Sequence, residues 1–589
     1  MSTAILAGAP AAMSPIEGDL RNLGFEVVTA EDAASLATYL QGVPATERVA
    51  VVDPRFVGHA HALRLGLTDP RFDASALPGA VSVRPAARAA LVRAVAETGE
   101  EGEGETYADR LAGRMEKDGV PVHRPELGVL VATVPADAQG RAAAAAAVAA
   151  VDDEAVRLRS AVKSRDGFFT TFFISPYSRY IARWCARRGL TPNQVTTASL
   201  LVALIAAGCA ATGTRPGFVA AGALLLTSFV LDCTDGQLAR YSLQYSTLGA
   251  WLDATFDRAK EYAYYAGLAL GAARGGDDVW ALALGAMVLQ TCRHVVDFAF
   301  AETDHDARAG AAVLSRKLDR VGWTVWLRRM IVLPIGERWA LIAVLTAVTT
   351  PRITLAVLIV ASGLAACYTT AGRVLRSARR RTPSGAAAAR ALADLADTGP
   401  LAEGLTRLFR GRGVPAAALL GAAVMIATSL LAPAGSVWPV AAACCYAVTS
   451  ALAVSRPLKG ALDWIVPPVF RAAEYTTILV LAAVSDVNGA LPAAFGLVAA
   501  VAYHHYDTVY RIRGGTGAPP RRLVRATGGH EGRALLVTAA AAALAHNTGF
   551  TVALTVLAVA LAVVVLTESI GFWVSSQAPA VHDETGGPA

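Results

Sequence analysis

The sequence predicts a mainly α-helical integral membrane protein with about 12 transmembrane helices and a soluble α/β domain at the N-terminus. Of its 589 residues, 54% are hydrophobic and 17% are charged, whereas a soluble chain usually carries about 25% charged residues. The mean hydropathy is +0.43, and long apolar segments recur after the first third of the chain. These observations exclude an ordinary soluble enzyme and a disordered chain. The net charge of +6 fits basic cytoplasmic loops better than nucleic-acid binding.

Residues 1–160 predict the soluble α/β domain, because short apolar runs alternate with helical stretches. The helical stretches are Glu31–Leu40 and Pro85–Ala96, and Arg141–Ala161 predicts a further helix that leads to the membrane. Met1–Pro15 lacks a basic n-region, so we expect no signal peptide. The apolar runs predict buried strands of a largely parallel sheet, at Ala4–Ala7, Val27–Ala30, Val49–Val52, Val81–Val83 and Leu127–Thr133.

Residues 163–190 predict an interfacial juxtamembrane helix. Aromatic side chains such as Phe172 and Trp184 alternate with arginines such as Arg179 and Arg187. This pattern suits a helix that lies in the headgroup layer of a membrane. Interleaved aromatic and basic residues also bind single-stranded nucleic acid, but the adjoining apolar segments favour a membrane. We therefore expect no nucleic-acid partner.

The apolar segments form two sets of six predicted spans. The first set forms a membrane core over 191–376, a basic cytoplasmic linker covers 377–412, and the second set forms a C-terminal module over 413–589. With basic loops in the cytoplasm, both termini of a plasma-membrane protein face the cytoplasm. The predicted spans lie near 193–213, 217–238, 246–271, 278–300, 337–351, 353–375, 414–433, 436–455, 464–484, 488–506, 533–548 and 550–575.

The segment Leu231–Asp257 combines four aspartates, one arginine and several small residues at the ends of two apolar spans. Asp232 and Asp235 share one helix face, and Asp253 and Asp257 share another. The polar connection between the spans allows the two faces to converge. Ionisable residues at membrane depth are costly and usually mark function. Carboxylate ligands favour hard divalent ions such as Mg²⁺ or Mn²⁺, and two such ions can clamp a pyrophosphate.

This segment resembles the signature of the CDP-alcohol phosphatidyltransferases, D-x2-D-G-x2-A-R-x8-G-x3-D-x3-D, and matches it at every fixed position. Leu190–Thr196 is similar to the family's entry into its first span. The resemblance implies transfer of a phosphatidyl or polyol-phosphate group from a CDP-alcohol donor to an alcohol or polyol-phosphate acceptor, with release of CMP. Such a reaction belongs to phospholipid or polyol-phosphodiester biosynthesis. The resemblance also implies contact with membrane lipid and a homodimer.

The same resemblance assigns roles to individual residues. Asp232, Asp235 and Asp253 would bind two ions, Mg²⁺ or Mn²⁺, and Asp257 would share a metal or act as the catalytic base. The remaining matched positions would bind the CDP moiety. Room for it would come from Gly236, Ala239 and Gly249, and Arg240 would help to hold the site. Asn193 and Thr196 would lie near the nucleotide.

The domain order resembles the bifunctional inositol-phosphate cytidylyltransferase and di-myo-inositol-phosphate-phosphate synthases, and Ser164–Phe168 is similar to their junction. Those cytidylyltransferases begin with a glycine-rich phosphate loop. Here Gly8-Ala9-Pro10 lacks the later glycine and the basic residue of that loop. We therefore expect a degenerate nucleotidyltransferase-like domain without catalysis. The alternative is a two-step enzyme whose N-terminal domain makes the CDP-alcohol.

Polar residues outside the motif give weaker predictions. Arg293 and Asp297, four residues apart in a predicted span, either pair with each other, bind the acceptor or support the aspartate cluster. Arg328 and Arg329 of a basic loop either hold an acceptor phosphate or, as we favour, anchor the loop at anionic headgroups. In the C-terminal module, which resembles an uncharacterised module, pairs such as His504–Asp507 and His530–Glu531 predict helix caps at the interface rather than a metal or acid–base site.

A different function class remains open at the level of sequence. A transporter or scaffold in which the aspartates hold an ion would suit two sets of six spans. The match to a phosphotransfer signature favours the enzyme, because a transporter requires no such spacing.

Overall fold

A computed structural model describes residues 2–8, 15–98, 105–163, 166–304, 332–379, 383–409, 414–544 and 546–575. The chain divides into two compact units. The first contains Met1–Ser164, Tyr177–Pro192 and Thr234–Ser246. The second contains Arg165–Pro176, Asn193–Cys233 and Thr247–Ala589.

The first unit contains a five-stranded sheet in the order β2-β1-β3-β6-β5 and a separate two-stranded pair of β4 and β7. β1 runs parallel to β2 and β3, whereas β6 runs antiparallel to β3 and β5. The strands are β1 (Ser2–Ala7), β2 (Phe25–Ala30), β3 (Arg48–Val52), β4 (Val57–Gly58), β5 (Ala74–Leu77), β6 (Ala80–Val83) and β7 (Ala132–Thr133).

The predicted α/β architecture is confirmed, and parallel pairing holds for β1 with β2 and β3, but the antiparallel pairing of β6 makes the sheet mixed rather than largely parallel. Pro78 and Gly79 join β5 to β6 in a two-residue turn, and Gly79 has a φ of +78°. Such a tight turn can connect only antiparallel neighbours. The strand expected at Leu127–Thr133 is reduced to the two residues of β7.

Helices cover both faces of the sheet. Ile5, Val49 and Val51 face one cluster of helical side chains, while Ala50 and Val52 face the other. The helices of this region are α1 (Ile16–Asn22), α2 (Ala33–Gly42), α3 (Ala60–Leu67), α4 (Arg88–Glu97), α5 (Tyr107–Lys117), α6 (Ala138–Ala149) and α7 (Asp153–Ser160).

The single helix predicted over Arg141–Ala161 is two helices in the structure, α6 and α7. Asp152 ends the connection between them, because its carboxylate accepts a hydrogen bond from the backbone N–H of Ala155 at 3.1 Å and caps α7. The side chain of Arg157 then lies 3.6 Å from the ring centroid of Tyr241. The α7 helix therefore packs on residues 234–246 within the first unit.

The predicted juxtamembrane helix corresponds to a short helical turn at Thr170–Ile174 followed by α8 (Ser175–Arg187). Phe172, Tyr180 and Trp184 expose between 45% and 52% of their surface. Large exposed aromatic side chains beside arginines suit an interface between water and lipid. The location of this segment in a headgroup layer stays a prediction.

The remaining described chain is helical. The helices are α9 (Pro192–Ala211), α10 (Arg215–Ser242), α11 (Thr247–Arg274), α12 (Trp280–Asp304), α13 (Ile335–Val348), α14 (Pro351–Ala378), α15 (Ala386–Leu395), α16 (Pro400–Thr406), α17 (Ala416–Leu431), α18 (Trp438–Val454), α19 (Val466–Val484), α20 (Ala490–Arg513), α21 (Arg521–Ala526), α22 (Gly529–Leu544) and α23 (Gly549–Ser575).

The count of about 12 spans is not confirmed. Within the described ranges, five helical segments are long and apolar enough to cross a membrane: Pro192–Ala211, Arg215–Ser242, Pro351–Ala378, Asp463–Val484 and Gly549–Ser575. The other predicted spans also coincide with helices, but these are short, as in α13, or carry several charges, as in α11. The apolar helices, together with the family reported below, indicate an integral membrane protein.

Small residues bring α9 and α11 into close contact. A Cβ atom on Gly267 would lie 2.4 Å from the carbonyl oxygen of Ala207, and one on Gly271 would lie 2.1 Å from that of Ala210. Two glycines four residues apart form the small-xxx-small pattern that lets helix backbones approach. This packing fixes α11, the helix that carries half of the aspartate motif.

Candidate active site

The aspartate motif lies on two consecutive helices. Asp232 and Asp235 occupy the last third of α10, and Asp253 and Asp257 occupy the first three turns of α11. Four residues join the two helices, and the first of them, Leu243, has a φ of +51°. This short connection reverses the chain and brings the motif's two halves together, as the sequence predicts.

Three of the carboxylates form a group that could hold a metal ion. Oxygen atoms of Asp232 and Asp253 lie within 4.8 Å of each other, and Asp235, one turn after Asp232 on the same helix, supplies the third carboxylate of this group. An all-oxygen donor set fits a hard divalent cation such as Mg²⁺ or Mn²⁺. Three of the four predicted ligands therefore fit a divalent cation, whereas Asp257 is not part of this group among the described residues, and its role as a metal ligand stays a prediction.

A buried lysine that the sequence analysis missed lies between the carboxylates. The Lys260 side chain has 0% exposure, and its ammonium pairs with Asp232 and, at 3.1 Å, with Asp257. It also donates to the hydroxyl of Ser199 on α9 at 3.1 Å. Lys260 follows Asp257 by three residues and Asp253 by seven, so it shares their helix face. A cation inside a predicted span was the signal for this residue.

A second charged group, also missed, surrounds Glu261. Arg258 donates to the Glu261 carboxylate at 2.8 Å, Tyr265 donates at 2.6 Å, and Arg338 of α13 pairs with it at 3.1 Å. Glu261 and Arg338 each expose 2% of their surface. Buried charges of this kind are stable only when they are paired. This group ties α13 to the helix that carries Asp253 and Asp257.

The predicted CDP-binding residues occupy the ends of three helices. Asn193 and Thr196 lie in the first turns of α9, and Thr196 is 3% exposed. Gly249 lies in the first turn of α11. The others, Gly236, Ala239 and Arg240, follow Asp235 on α10, and the Arg240 side chain donates to the backbone carbonyl of Ala161. No contact with a nucleotide tests these roles, so they stay predictions.

The residues proposed for acceptor binding separate into two groups. Arg293 donates to the backbone carbonyl of Val332, and Asp297 pairs with Arg373 of α14, so the structure gives each a partner other than its neighbour four residues away. Arg328 and Arg329 lie outside the described residues. Acceptor binding by these four residues stays a prediction.

The C-terminal polar residues are buried, which makes the expectation of interfacial caps wrong for most of them. Asp397 accepts from Arg533 at 2.7 Å and Arg471 at 3.2 Å, and His504 lies 3.3 Å from the same carboxylate. Glu531 does act as a cap, since it accepts from two backbone N–H groups at the start of α16. Sequence spacing did not reveal this network because its members come from four separate segments.

Comparison with known families decides the assignment of the membrane core. Residues 189–351 match the CDP-alcohol phosphatidyltransferase family. The chain carries a CDP-alcohol phosphatidyltransferase domain. Residues 386–589 match a family of unknown function, DUF5941. The predicted resemblance is thereby confirmed, and the domain's enzyme class is that of the CDP-alcohol phosphotransferases.

Curated relatives of the CDP-alcohol phosphatidyltransferase domain agree with this assignment. The archaetidylinositol phosphate synthase of Pyrococcus horikoshii is 31% identical over 113 residues, which are 19% of this chain and 58% of the relative. The phosphatidylinositol phosphate synthase of Mycolicibacterium smegmatis is 31% identical over 145 residues, 24% of this chain and 64% of the relative. The bifunctional IPC transferase and DIPP synthase of Aquifex aeolicus is 29% identical over 114 residues, 19% of this chain and 26% of the relative. The chain thus spans less than two thirds of each.

Proposed function

We propose that the chain is a metal-dependent CDP-alcohol phosphotransferase, which transfers a phosphoalcohol group from a CDP-alcohol to an acceptor alcohol and releases CMP. The observation that carries this proposal is the aspartate group. Asp232 and Asp253 lie within metal-bridging distance, Asp235 adds a third carboxylate, and all three occur at the spacing of the family signature.

The chain's own residues supply the proton transfer. The acceptor hydroxyl attacks the phosphorus that bears the alcohol, an oxygen–phosphorus bond forms, and the bond to the CMP phosphate breaks. Asp257 takes the proton of the attacking hydroxyl, because a carboxylate within reach of the reacting oxygen acts as a general base. Lys260, whose ammonium pairs with Asp257 at 3.1 Å, would restrict the rotation of this carboxylate.

The reaction also requires that the negative charge of the diphosphate be neutralised, and divalent ions would meet this requirement. Two Mg²⁺ or Mn²⁺ ions held by Asp232, Asp235, Asp253 and Asp257 would neutralise the diphosphate and stabilise the charge that develops in the in-line displacement. Gly236, Ala239 and Gly249 would leave room for the CDP moiety, Arg240 would support it, and Asn193 and Thr196 would contact the nucleotide.

The proposed substrates follow from the reactions that the names of the curated relatives describe. One relative is named as an archaetidylinositol phosphate synthase, a second as a phosphatidylinositol phosphate synthase, and a third as a bifunctional IPC transferase and DIPP synthase. We propose a polyol-phosphate acceptor of the inositol phosphate class. The N-terminal domain would be non-catalytic, both termini would face the cytoplasm, and the active species would be a homodimer in the plasma membrane.

The experiment is measurement of CMP release by the purified full chain with Mg²⁺ or Mn²⁺. CDP-diacylglycerol and CDP-inositol are each offered with a panel of polyol phosphates, and Asp257→Asn is compared with wild type. Asp277→Asn serves as the matched control, since Asp277 is an exposed aspartate paired with Arg352. Metal-dependent CMP release that disappears only in Asp257→Asn supports the proposal. Absence of CMP release from every pair, with metal still bound, contradicts it and favours an ion-binding transporter or scaffold.

A further inference from the structure

The helix α11 presents two opposite faces. Asp253, Asp257 and Lys260 lie on the face that forms the candidate active site. Trp251 and Arg258 are seven residues apart, so they share a face, and at about 100° per residue that face points roughly 140–160° away from Asp253. Other parts of the protein can pack on this second face without touching the carboxylates.

The C-terminal helices α20 and α23 cover this second face. The guanidinium of Arg258 lies 5.6 Å from the ring centroid of Tyr506, whose hydroxyl contacts His294 of α12. About two helical turns before Arg258, the ring of Trp251 stacks on that of Trp573, with ring centroids 6.1 Å apart and an angle of 19° between the ring planes. Cation–π and stacking contacts of this kind are stabilising, and more so when the groups are buried.

The contacting side chains are themselves fixed. Tyr506 exposes 3% of its surface and Trp573 exposes 5%. Asp507, next to Tyr506, accepts hydrogen bonds from the Trp573 indole at 2.6 Å and from Ser569 at 2.7 Å. A tryptophan held by its own hydrogen bond offers a rigid surface. The arrangement is therefore a built contact between α11 and the two C-terminal helices.

We propose that the region of unknown function, residues 386–589, positions the metal-binding helix, with Tyr506 and Trp573 as its positioning residues. This inference rests on the proposed function. Arg258 directly follows Asp257, so a shift of Arg258 on Tyr506 moves the neighbouring carboxylate. A displacement of about 1 Å at a reacting group can lower the rate by about 100-fold. The region of unknown function thus acts on catalysis without touching the substrate.

The experiment compares full-length variants in detergent. Tyr506→Ala and Trp573→Ala remove the contacts, and Tyr506→Phe keeps the ring while it removes the hydroxyl. Tyr446→Ala is the matched control, because Tyr446 is a fully buried tyrosine of the same region that shares a hydrogen bond with His530 and packs on Phe470. Three quantities are measured: kcat, KM for the donor, and Mn²⁺ affinity by direct titration.

We expect Tyr506→Ala and Trp573→Ala to lower kcat about 10- to 100-fold and weaken Mn²⁺ binding about 10-fold, with KM changed by less than about 3-fold. Tyr506→Phe restores most of kcat. Wild-type values in Tyr506→Ala and Trp573→Ala overturn the proposal, and so does an equal loss in Tyr446→Ala, which would show a general folding effect. If Tyr506→Ala does not fold, Tyr506→Leu, which removes the aromatic ring but keeps much of its volume, decides together with Trp573→Ala by the same criteria. If wild type releases no CMP, the proposed function fails, and the Mn²⁺ titration still tests the positioning role.

Discussion

Replacement of Lys260 by methionine tests whether a single ammonium holds the aspartate group together. The Lys260 side chain is fully buried and pairs with both Asp232 and Asp257. Methionine keeps the length of the side chain but removes its charge. Two carboxylates then face each other in a poorly solvated site without their shared cation, and their repulsion opposes the packing of α10 against α11.

The size of the expected stability loss follows from the distance between the paired charges. Two unit charges 3.1 Å apart, as Lys260 and Asp257 are, attract by about 5 kcal/mol at an effective dielectric constant of 20, and desolvation offsets part of this. Removal of one partner of a buried ion pair costs roughly 3–5 kcal/mol. We expect Lys260→Met to lower the free energy of unfolding of the metal-free protein by about 3 kcal/mol. This corresponds to a decrease in Tm of roughly 6–12 °C for a domain of 150–250 residues.

Divalent cations should reverse much of this loss, because they neutralise the same carboxylates. The assay is thermal melting in detergent with EDTA and then with Mn²⁺, for wild type, Lys260→Met and Lys459→Met. Lys459 is an exposed lysine and controls for the substitution itself. We expect Mn²⁺ to raise the Tm of Lys260→Met by more than that of wild type. Equal Tm values in EDTA, together with equal shifts on adding Mn²⁺, would refute the electrostatic role of Lys260.

Four further outcomes are expected. Asp253→Asn should lower CMP release at least about 100-fold, measured at saturating donor, because it removes one charged ligand. EDTA should abolish CMP release by wild type, and Mg²⁺ or Mn²⁺ should restore it. Gly271→Val should lower Tm by an amount equivalent to about 1–3 kcal/mol, because its Cβ would lie 2.1 Å from the Ala210 carbonyl oxygen, whereas Gly208→Val, in open space, should change Tm little. Burial and two nearby arginines lower the pKa of His61 from 6.5 to about 4. The contribution of His61 to stability is therefore complete above pH 6.5 and falls by up to about 3 kcal/mol as the pH decreases towards 4. His61→Leu should flatten the pH dependence of the melting transition that reports on the first unit over that range.

The central strands β1 and β3 of the N-terminal domain were predictable because both faces of the sheet are buried there. Val49–Val52 therefore forms an uninterrupted apolar run, and its residues are 0% exposed. Strand direction was not predictable from hydrophobicity, since parallel and antiparallel central strands have the same apolar pattern. Only the two-residue turn at Pro78 and Gly79 indicates that β5 and β6 are antiparallel, and this pair was not recognised as a turn from the sequence.

Segment hydrophobicity predicted where helices occur in the membrane region but not how many cross a bilayer. The α11 helix illustrates the reason, because it carries Asp253, Asp257, Arg258, Lys260 and Glu261 within nine residues. Such a segment is too polar to count as an apolar span on its own. Some of its charges pair within the helix, but Lys260 also pairs with Asp232 of α10 and Glu261 with Arg338 of α13, and those pairings depend on tertiary structure that no window of the sequence contains.

The aspartate motif was predictable because its spacing is local, whereas its charge balance was not. Four carboxylates and the Lys260 ammonium leave the site with three negative charges. Two divalent cations carry four positive charges, so the loaded site would keep a small positive excess that attracts a diphosphate. Without Lys260, the metal-loaded carboxylates would be neutral and would attract the donor less strongly. On the proposed function, we therefore expect the buried lysine to serve two roles: to stabilise the metal-free aspartate group and to bias the metal-loaded site towards an anionic substrate.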